Sequence, residues 1–124
     1  MYPLDDTPVV HVEHRRDGTP RTLASDVEVA DSFLSKSRGL MFRRKIPDDY
    51  ALVFEFGSPD RRSLHMVFVP FPIDALWLVG EEVTKKKRLR GWVGIGFGLA
   101  DRIVELPVGA ADGVERGDTV RLVE

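Results

Sequence analysis

The segment from Leu64 to Trp77 constrains the fold most, because it is apolar on both of the alternating faces that a strand presents. This pattern is typical of a strand inside a mostly β domain rather than of one at its surface. The segment nevertheless contains His65 and Asp74. Since burying an ionised carboxylate is costly unless it is paired or hydrogen-bonded, Asp74 is predicted either to fasten the architecture or to line a site.

Short strand patterns recur along the whole chain and are separated by turn signals. Turns are predicted at 17–20 and 57–60, and a helix of about ten residues is predicted after Asp31 or Ser32, ending near Gly39. The predicted strands lie at 9–13, 21–30, 50–56, 63–69, 73–79, 83–90, 103–106 and 119–124. These elements predict a mainly β fold with one short helix, a β-sandwich or jelly-roll-like small barrel of about eight short strands.

The size and composition indicate one domain over residues 1–124, with residues 1–8 as a loose N-terminal arm. The chain has no cysteine, which excludes disulfides, thiolate nucleophiles and cysteine-built metal sites. No basic stretch leads into an apolar segment at the N-terminus, so we expect a cytoplasmic protein without a secretory signal. The longest apolar and glycine-rich stretch, 91–100, is too short for the ~20 residues of a transmembrane helix.

The positive charges are unevenly placed, although the net charge is only −2. Ten of the eighteen lysines and arginines lie within 36–45 and 85–90. Because nucleic-acid-binding domains are usually basic as a whole, no nucleic acid is expected as a partner. The run Lys85 to Arg90, followed by Trp92, could contact phosphates or a lipid surface, but lysines also guard edge strands against aggregation, and this second interpretation is favoured.

No metal ion or cofactor is predicted. His11 and His14 would point to opposite faces of a strand, whereas a zinc site needs three or four converging ligands. The glycines at 94, 96 and 98 do not complete a dinucleotide fingerprint, because Leu99 follows and no crossover helix is predicted. These glycines instead suggest either a mobile loop or a backbone that passes close to another group.

Two carboxylates, Asp74 and Glu105, are flanked by apolar residues. If the fold brings them together, they could act as an acid–base pair of the glycosidase kind, with His65 in support. Carboxylates in apolar surroundings are, however, more often satisfied by backbone N–H groups and arginines. A carboxylate-based hydrolase is therefore kept as an alternative function.

Three segments occur in an order and spacing similar to those of a known family. They are Ser37 to Arg43, Leu64 to Asp74, and Val104 to Gly109 with Val114 to Asp118. Together they resemble the family called domain of unknown function 192 over about residues 25–124. The resemblance implies a β-rich sandwich or jelly-roll fold and no established reaction. The chain departs from the family pattern at residues 67–69, where the family has lysine, asparagine and threonine, and at His65, where it often has tryptophan.

The hypothesis that follows is a small β module that binds a polar ligand or a partner without covalent chemistry. Arg38, His65, Asp74 and Glu105 are the candidate ligand-binding residues, because an arginine presents a planar fork to an anion and a carboxylate accepts from hydroxyl groups. Alternatively, Arg38 and Asp74 form a buried pair that locks the helix onto the sheet. A third possibility, a protein–protein adaptor, predicts an exposed apolar patch that includes Phe71, Trp92 or Phe97.

Overall fold

One mixed sheet of eight strands dominates a computed structural model that describes residues 10–124; the predicted N-terminal arm lies outside them. The strands run in the order β2-β1-β8-β6-β5-β7-β4-β3 across the open sheet. The elements in chain order are β1 His11–Arg16, β2 Thr19–Ala24, β3 Asp26–Ala30, α1 Phe33–Arg38, β4 Tyr50–His65, β5 Ile73–Val79, β6 Glu82–Leu89, β7 Ile95–Pro107 and β8 Thr119–Val123. The predicted mainly β fold with about eight strands and one short helix is confirmed.

The strand β5 lies at the centre of the sheet and explains the segment that is apolar on both faces. All of its residues except Val79 are buried, and its neighbours are β6 on one side and β7 on the other. Ala75 and Trp77 pack into a core on the sheet face that α1 covers, whereas Leu76 and Leu78 pack into a second core on the opposite face. The apolar residues of β5 therefore serve two cores because alternate side chains point to opposite faces.

The helix α1 is shorter than predicted, with six residues instead of about ten. Ser32 begins it as the N-cap, where its hydroxyl accepts a hydrogen bond from the Ser35 backbone N–H at 3.1 Å. Gly39 ends it with φ at 50°, and a Cβ added there would lie 3.2 Å from Cζ of Phe54. The glycine thus allows both a positive φ angle and a close approach of the helix end to β4.

The prediction of a turn at 57–60 is wrong, because these residues lie within the strand β4. The chain continues as a single 16-residue strand, with a register shift against β7 between Glu55 and Asp60. A bulge bends a strand without ending it, and here the glycine and proline mark that bend. The prediction of one strand over 21–30 is also wrong, because the chain breaks at Ser25 into β2 and β3.

The glycines of β7 pass close to Trp77, which confirms the second of the two interpretations of that segment. A Cβ added at Gly96 or Gly98 would lie 2.7 Å from an atom of the Trp77 ring. Two lysines of the basic run on β6 bind the backbone of the same part of β7. Lys85 Nζ donates to Phe97 O at 2.5 Å, and Lys87 Nζ donates to Ile95 O at 2.7 Å. The lysines therefore fasten the first part of β7 against β6.

Candidate functional site

A cavity of about 120 Å³ lies where the end of α1 faces β4 and β7. The candidate residues Arg38, His65 and Glu105 line it together. The other lining residues are Lys36, Ser37, Gly39, Leu40, Met41, Phe54, Ser63, Leu64 and Val69. The fold thus brings together three of the four residues that the sequence singled out, although they are 27 to 67 positions apart.

Glu105 is the buried acid of this cavity. It lies opposite Leu52 of β4 and Ala75 of β5, on the face that carries the core covered by α1. Its side chain is only 4% exposed, and Oε1 has no hydrogen-bond partner among the described residues. Burial raises the pKa of the carboxyl from 4.5 to about 8, although the charge of Arg43 opposes the shift. At neutral pH Glu105 is therefore mostly protonated, and its O–H group can donate a hydrogen bond.

Arg38 and His65 are exposed at the mouth of the cavity, at the last positions of α1 and β4 respectively. The backbone N–H of Val67 donates to Nδ1 of His65 at 3.2 Å. Because Nδ1 is an acceptor in this contact, a neutral His65 carries its proton on Nε2. The mouth therefore presents a guanidinium and an imidazole N–H, both of which are hydrogen-bond donors.

Lys36 also lines the cavity and was not identified from the sequence as a site residue. Its Nζ donates to the backbone carbonyl of Glu55 at 2.9 Å and lies 4.8 Å from the centre of the Phe56 ring. Its charge adds to that of Arg38, but its ammonium group already has protein partners. A lysine two residues before the end of a short helix gives no sequence signal for this role.

Asp74 lies elsewhere and is satisfied by the protein itself. It is 1% exposed, and its carboxylate accepts hydrogen bonds from Arg88 Nε at 2.8 Å and from the backbone N–H groups of Gly109 at 2.9 Å and Ala111 at 3.3 Å. It therefore joins β5 to β6 and to the turn after β7. The prediction of a buried pair between Arg38 and Asp74 is wrong, because Arg88 is the partner.

The acid–base pair predicted from Asp74 and Glu105 is also wrong. The register places Glu105 opposite Ala75 and Asp74 opposite Leu106. Since the side chains of directly opposed residues share a face and successive residues alternate, the two carboxyl groups lie on opposite faces of the sheet. They cannot flank the same bond of a substrate.

A second group of polar residues adjoins the cavity and was missed by the sequence analysis. Tyr50 Oη donates to Glu28 Oε1 at 2.6 Å, and Arg43 donates to Tyr50 Oη at 2.9 Å and to Glu28 Oε1 at 3.0 Å. The hydrogen bonds from Tyr50 and Arg43 lower the pKa of Glu28, and the bond from Tyr50 has the largest effect. Burial raises the pKa of Tyr50. Glu28 and Arg43 line a wider cavity of about 570 Å³. Arg38 and Gly39 separate it from the first one.

His14 of β1 is held in an ion-paired hydrogen-bond network with Asp118 and Arg16. Nε2 of His14 lies 2.8 Å from Oδ2 of Asp118, which also accepts a bond from Nη2 of Arg16 at 2.9 Å. Within residues 10–124, no three side chains of histidine, aspartate or glutamate converge as metal ligands. In the same part of the chain, no helix is long and apolar enough to cross a bilayer.

The chain is similar to two curated proteins from Thermococcus species. It is 35% identical over 100 residues to UPF0127 protein TK1120 of Thermococcus kodakarensis, an alignment that covers 76% of this chain and 62% of that protein. It is 34% identical over 100 residues to a UPF0127 protein of Thermococcus gammatolerans, which covers 76% and 64% respectively. The chain thus spans 62–64% of the length of these relatives.

Two solved structures share the fold. A Sinorhizobium meliloti 1021 protein, provisionally described as a transcription regulator, has a TM-score of 0.79 at 21% identity, covering 92% of this chain and 93% of its own. A protein of unknown function from Novosphingobium aromaticivorans DSM 12444 has a TM-score of 0.78 at 20% identity, covering 97% and 89%. The family model of domain of unknown function 192, described as Uncharacterized ACR, matches residues 12–122, and the chain belongs to this family.

Proposed function

We propose that the protein binds a small molecule with an anionic group in the cavity between α1 and the sheet, and that it does so without covalent chemistry. The observation that carries this proposal is Glu105, whose buried Oε1 has no partner among the described residues. Leaving a buried polar group without a hydrogen bond is unfavourable, so native proteins pair most such groups. A ligand with a hydrogen-bonding atom at the floor of the cavity supplies the missing partner.

The charge at the mouth favours an anionic ligand over a cationic one. Arg38 and Lys36 both line the cavity, and Glu105 is mostly uncharged at neutral pH because of its raised pKa. Arginine binds a carboxylate through two parallel hydrogen bonds, and the Nε2–H of His65 is a further donor at the same opening. We assign Arg38 and His65 to the anionic group and Glu105 to a second polar atom of the ligand.

The size of the cavity restricts the part of the ligand that enters it. A volume of about 120 Å³ is slightly smaller than the roughly 150 Å³ cavity that accommodates benzene in an engineered protein. Short carboxylic acids are therefore suitable probes. A larger ligand would extend past Arg38 towards the wider cavity beside Glu28.

The positions of the carboxyl groups explain why we propose binding without catalysis. Hydrolysis by paired acids needs two carboxyl groups on either side of one bond. Glu105 enters the cavity alone, since Asp74 is on the other face of the sheet and its oxygens are occupied. We keep the cytoplasm as the proposed location, and a chain without cysteine is compatible with its reducing conditions.

Calorimetric titration with acetate and propionate tests the proposal, with acetamide and ethylammonium as neutral and cationic counterparts. We expect the two carboxylates to bind and the other probes not to bind. Arg38→Gln removes a charge-assisted hydrogen-bond donor and should weaken binding about 10-fold or more. Arg61→Gln is the matched control, because Arg61 is also an exposed arginine but does not line the cavity.

The pH dependence separates a role of Glu105 from simple attraction to Arg38. If the protonated carboxyl contacts the ligand, the association constant falls about tenfold per pH unit above a pKa of about 8. Glu105→Gln should bind at all these pH values without that decline. Binding of ethylammonium in place of the carboxylates, or the absence of binding by every probe, would refute the proposal.

A further inference from the structure

Three loops expose large apolar side chains beside the cavity. Phe42 follows α1, Phe68 lies between β4 and β5, and Trp92 lies between β6 and β7; their exposures are 69%, 48% and 58%. Val67 and Val93 extend the patch with exposures of 46% and 73%. We call these five residues the aromatic loop surface. Phe71, which the adaptor hypothesis included, is instead partly buried against the core.

The backbone of this surface has an unusual conformation. Phe42, Phe68 and Trp92 have φ angles of 69°, 61° and 66°, in the left-handed region. Among the described residues, only Asp17 shares this feature without being a glycine. Large side chains rarely adopt it, and strained residues of this kind cluster at functional sites. The fold thus holds three aromatic side chains in water at positions where glycine would be less strained.

Hydrogen bonds connect the three loops, so the surface is preformed. The backbone N–H of Phe42 donates to Phe68 O at 2.8 Å, and that of Trp92 donates to Val69 O at 2.8 Å. The rings of Phe42 and Phe68 stack with their centres 5.0 Å apart. The exposed apolar side chains therefore form one surface and are not three independent loop tips.

The chain segments that form this surface contain positive charges only. The loop stretches 40–47, 66–72 and 90–94 include four lysines and arginines, Arg43, Arg44, Lys45 and Arg90, and no aspartate or glutamate. Arg44, Lys45 and Arg90 are exposed next to the apolar residues. In a protein with a net charge of −2, the residues next to Phe42 and Trp92 along the chain are therefore basic.

We propose that the aromatic loop surface docks this protein onto an anionic lipid membrane. Aromatic side chains insert at the boundary between headgroups and acyl chains, and neighbouring lysines and arginines attract anionic headgroups. The exposed cations Arg44, Lys45 and Arg90 beside the apolar side chains match the negative charge of an anionic bilayer surface. A second copy fits poorly, because a symmetric dimer would bring two basic surfaces together. Nucleic acid would leave Val67 and Val93 without an apolar contact.

Vesicle binding tests this proposal, and Trp92 is a natural probe because the only other tryptophan, Trp77, is fully buried. We expect the protein to co-sediment with vesicles of phosphatidylglycerol and phosphatidylcholine but not with vesicles of phosphatidylcholine alone. The emission of Trp92 should shift to shorter wavelength and be quenched by brominated lipid. Trp92→Phe should lose both signals and still sediment.

A glycine variant separates loss of the surface from loss of the fold. Phe42→Gly, Phe68→Gly and Trp92→Gly together keep the left-handed backbone accessible, so the protein should stay folded while sedimentation is lost. Val29→Ser is the control, because Val29 is an exposed valine on β3 outside the three loops. Arg44→Gln and Lys45→Gln should each weaken binding about fivefold, as expected for a cation near an anionic surface.

Three results would overturn the proposal. The first is equal sedimentation of the wild type with both kinds of vesicle or with neither. The second is vesicle binding by the folded glycine variant at wild-type strength. The third is dimerisation or DNA binding that the glycine variant abolishes while the wild type ignores lipid, because the surface would then serve another occupant. Since lipid binding does not depend on Glu105, failure here leaves the cavity proposal intact.

Discussion

Replacing Glu105 by glutamine removes one buried ionisable group while it preserves the shape of the side chain. In the unfolded chain the carboxyl ionises with a pKa of 4.5, whereas in the folded protein burial raises the pKa to about 8. Between these values the unfolded chain releases a proton that the folded protein retains, so the wild type loses stability as the pH rises. Glu105→Gln does not titrate and should not show this loss.

The magnitude follows from the two pKa values. Each pH unit between them changes the free energy of unfolding by about 1.4 kcal/mol, so the loss from pH 4.5 to pH 7 is about 3 kcal/mol. Above pH 8 the loss reaches its limit of about 5 kcal/mol. Relative to the wild type, Glu105→Gln should therefore become more stable by these amounts as the pH is raised.

Urea denaturation of both proteins between pH 4.5 and pH 9 measures this difference. The fluorescence of the buried Trp77 reports the loss of the core that surrounds Glu105. Glu28→Gln is the matched control, because hydrogen bonds from Tyr50 and Arg43 lower the pKa of Glu28 below 4.5, so over most of this pH range its stability difference from the wild type should not change with pH. A stability difference between wild type and Glu105→Gln that does not change with pH would show that the carboxyl is hydrated, and the reasoning would fail.

Further substitutions test the contacts that hold the fold. Asp74→Ala leaves two backbone N–H groups unpaired beneath β5, and we expect about 2–4 kcal/mol lower stability in urea with no change in acetate binding. Gly98→Ala places a methyl group 2.7 Å from the Trp77 ring and should cost about 1–3 kcal/mol, measured by thermal unfolding. Gly57→Ala, with no atom within 4 Å, should be close to neutral. Asp118→Asn should lower stability at neutral pH, and the difference should shrink in acid, because its partners lower the pKa of Asp118.

Local signals predicted the central parts of the fold well. The strand Ile73–Val79 has the predicted bounds, and the helix begins after Ser32, one of the two predicted caps, and ends near Gly39 as predicted, although it is shorter than the predicted length of about ten residues. These signals depend on residues that are close in sequence, such as a cap hydroxyl or a turn glycine. The bend at 57–60 was predicted as a turn because glycine and proline mark a bulge and a turn alike.

The candidate site was predicted only in part. The apolar neighbours of Glu105 indicated a buried carboxyl, and the resemblance to the family pointed to Arg38 and His65, all of which line one cavity. The predicted partner of Asp74, Arg38, was wrong, because no local pattern identifies which of many arginines reaches a carboxylate across the sheet. The contact between Glu28 and Tyr50 was missed for the same reason, since 22 positions separate the two residues.

The sequence by itself determined that the chain forms a mainly β fold and that Asp74 and Glu105 lie in apolar surroundings, because strand patterns and burial follow from nearby residues. Only the tertiary structure decided that Asp74 is satisfied and Glu105 is not. A shift of one residue in strand register reverses the face on which a side chain lies. Register depends on contacts between distant segments, so the same sequence pattern produced a structural carboxylate on one face and a candidate binding group on the other.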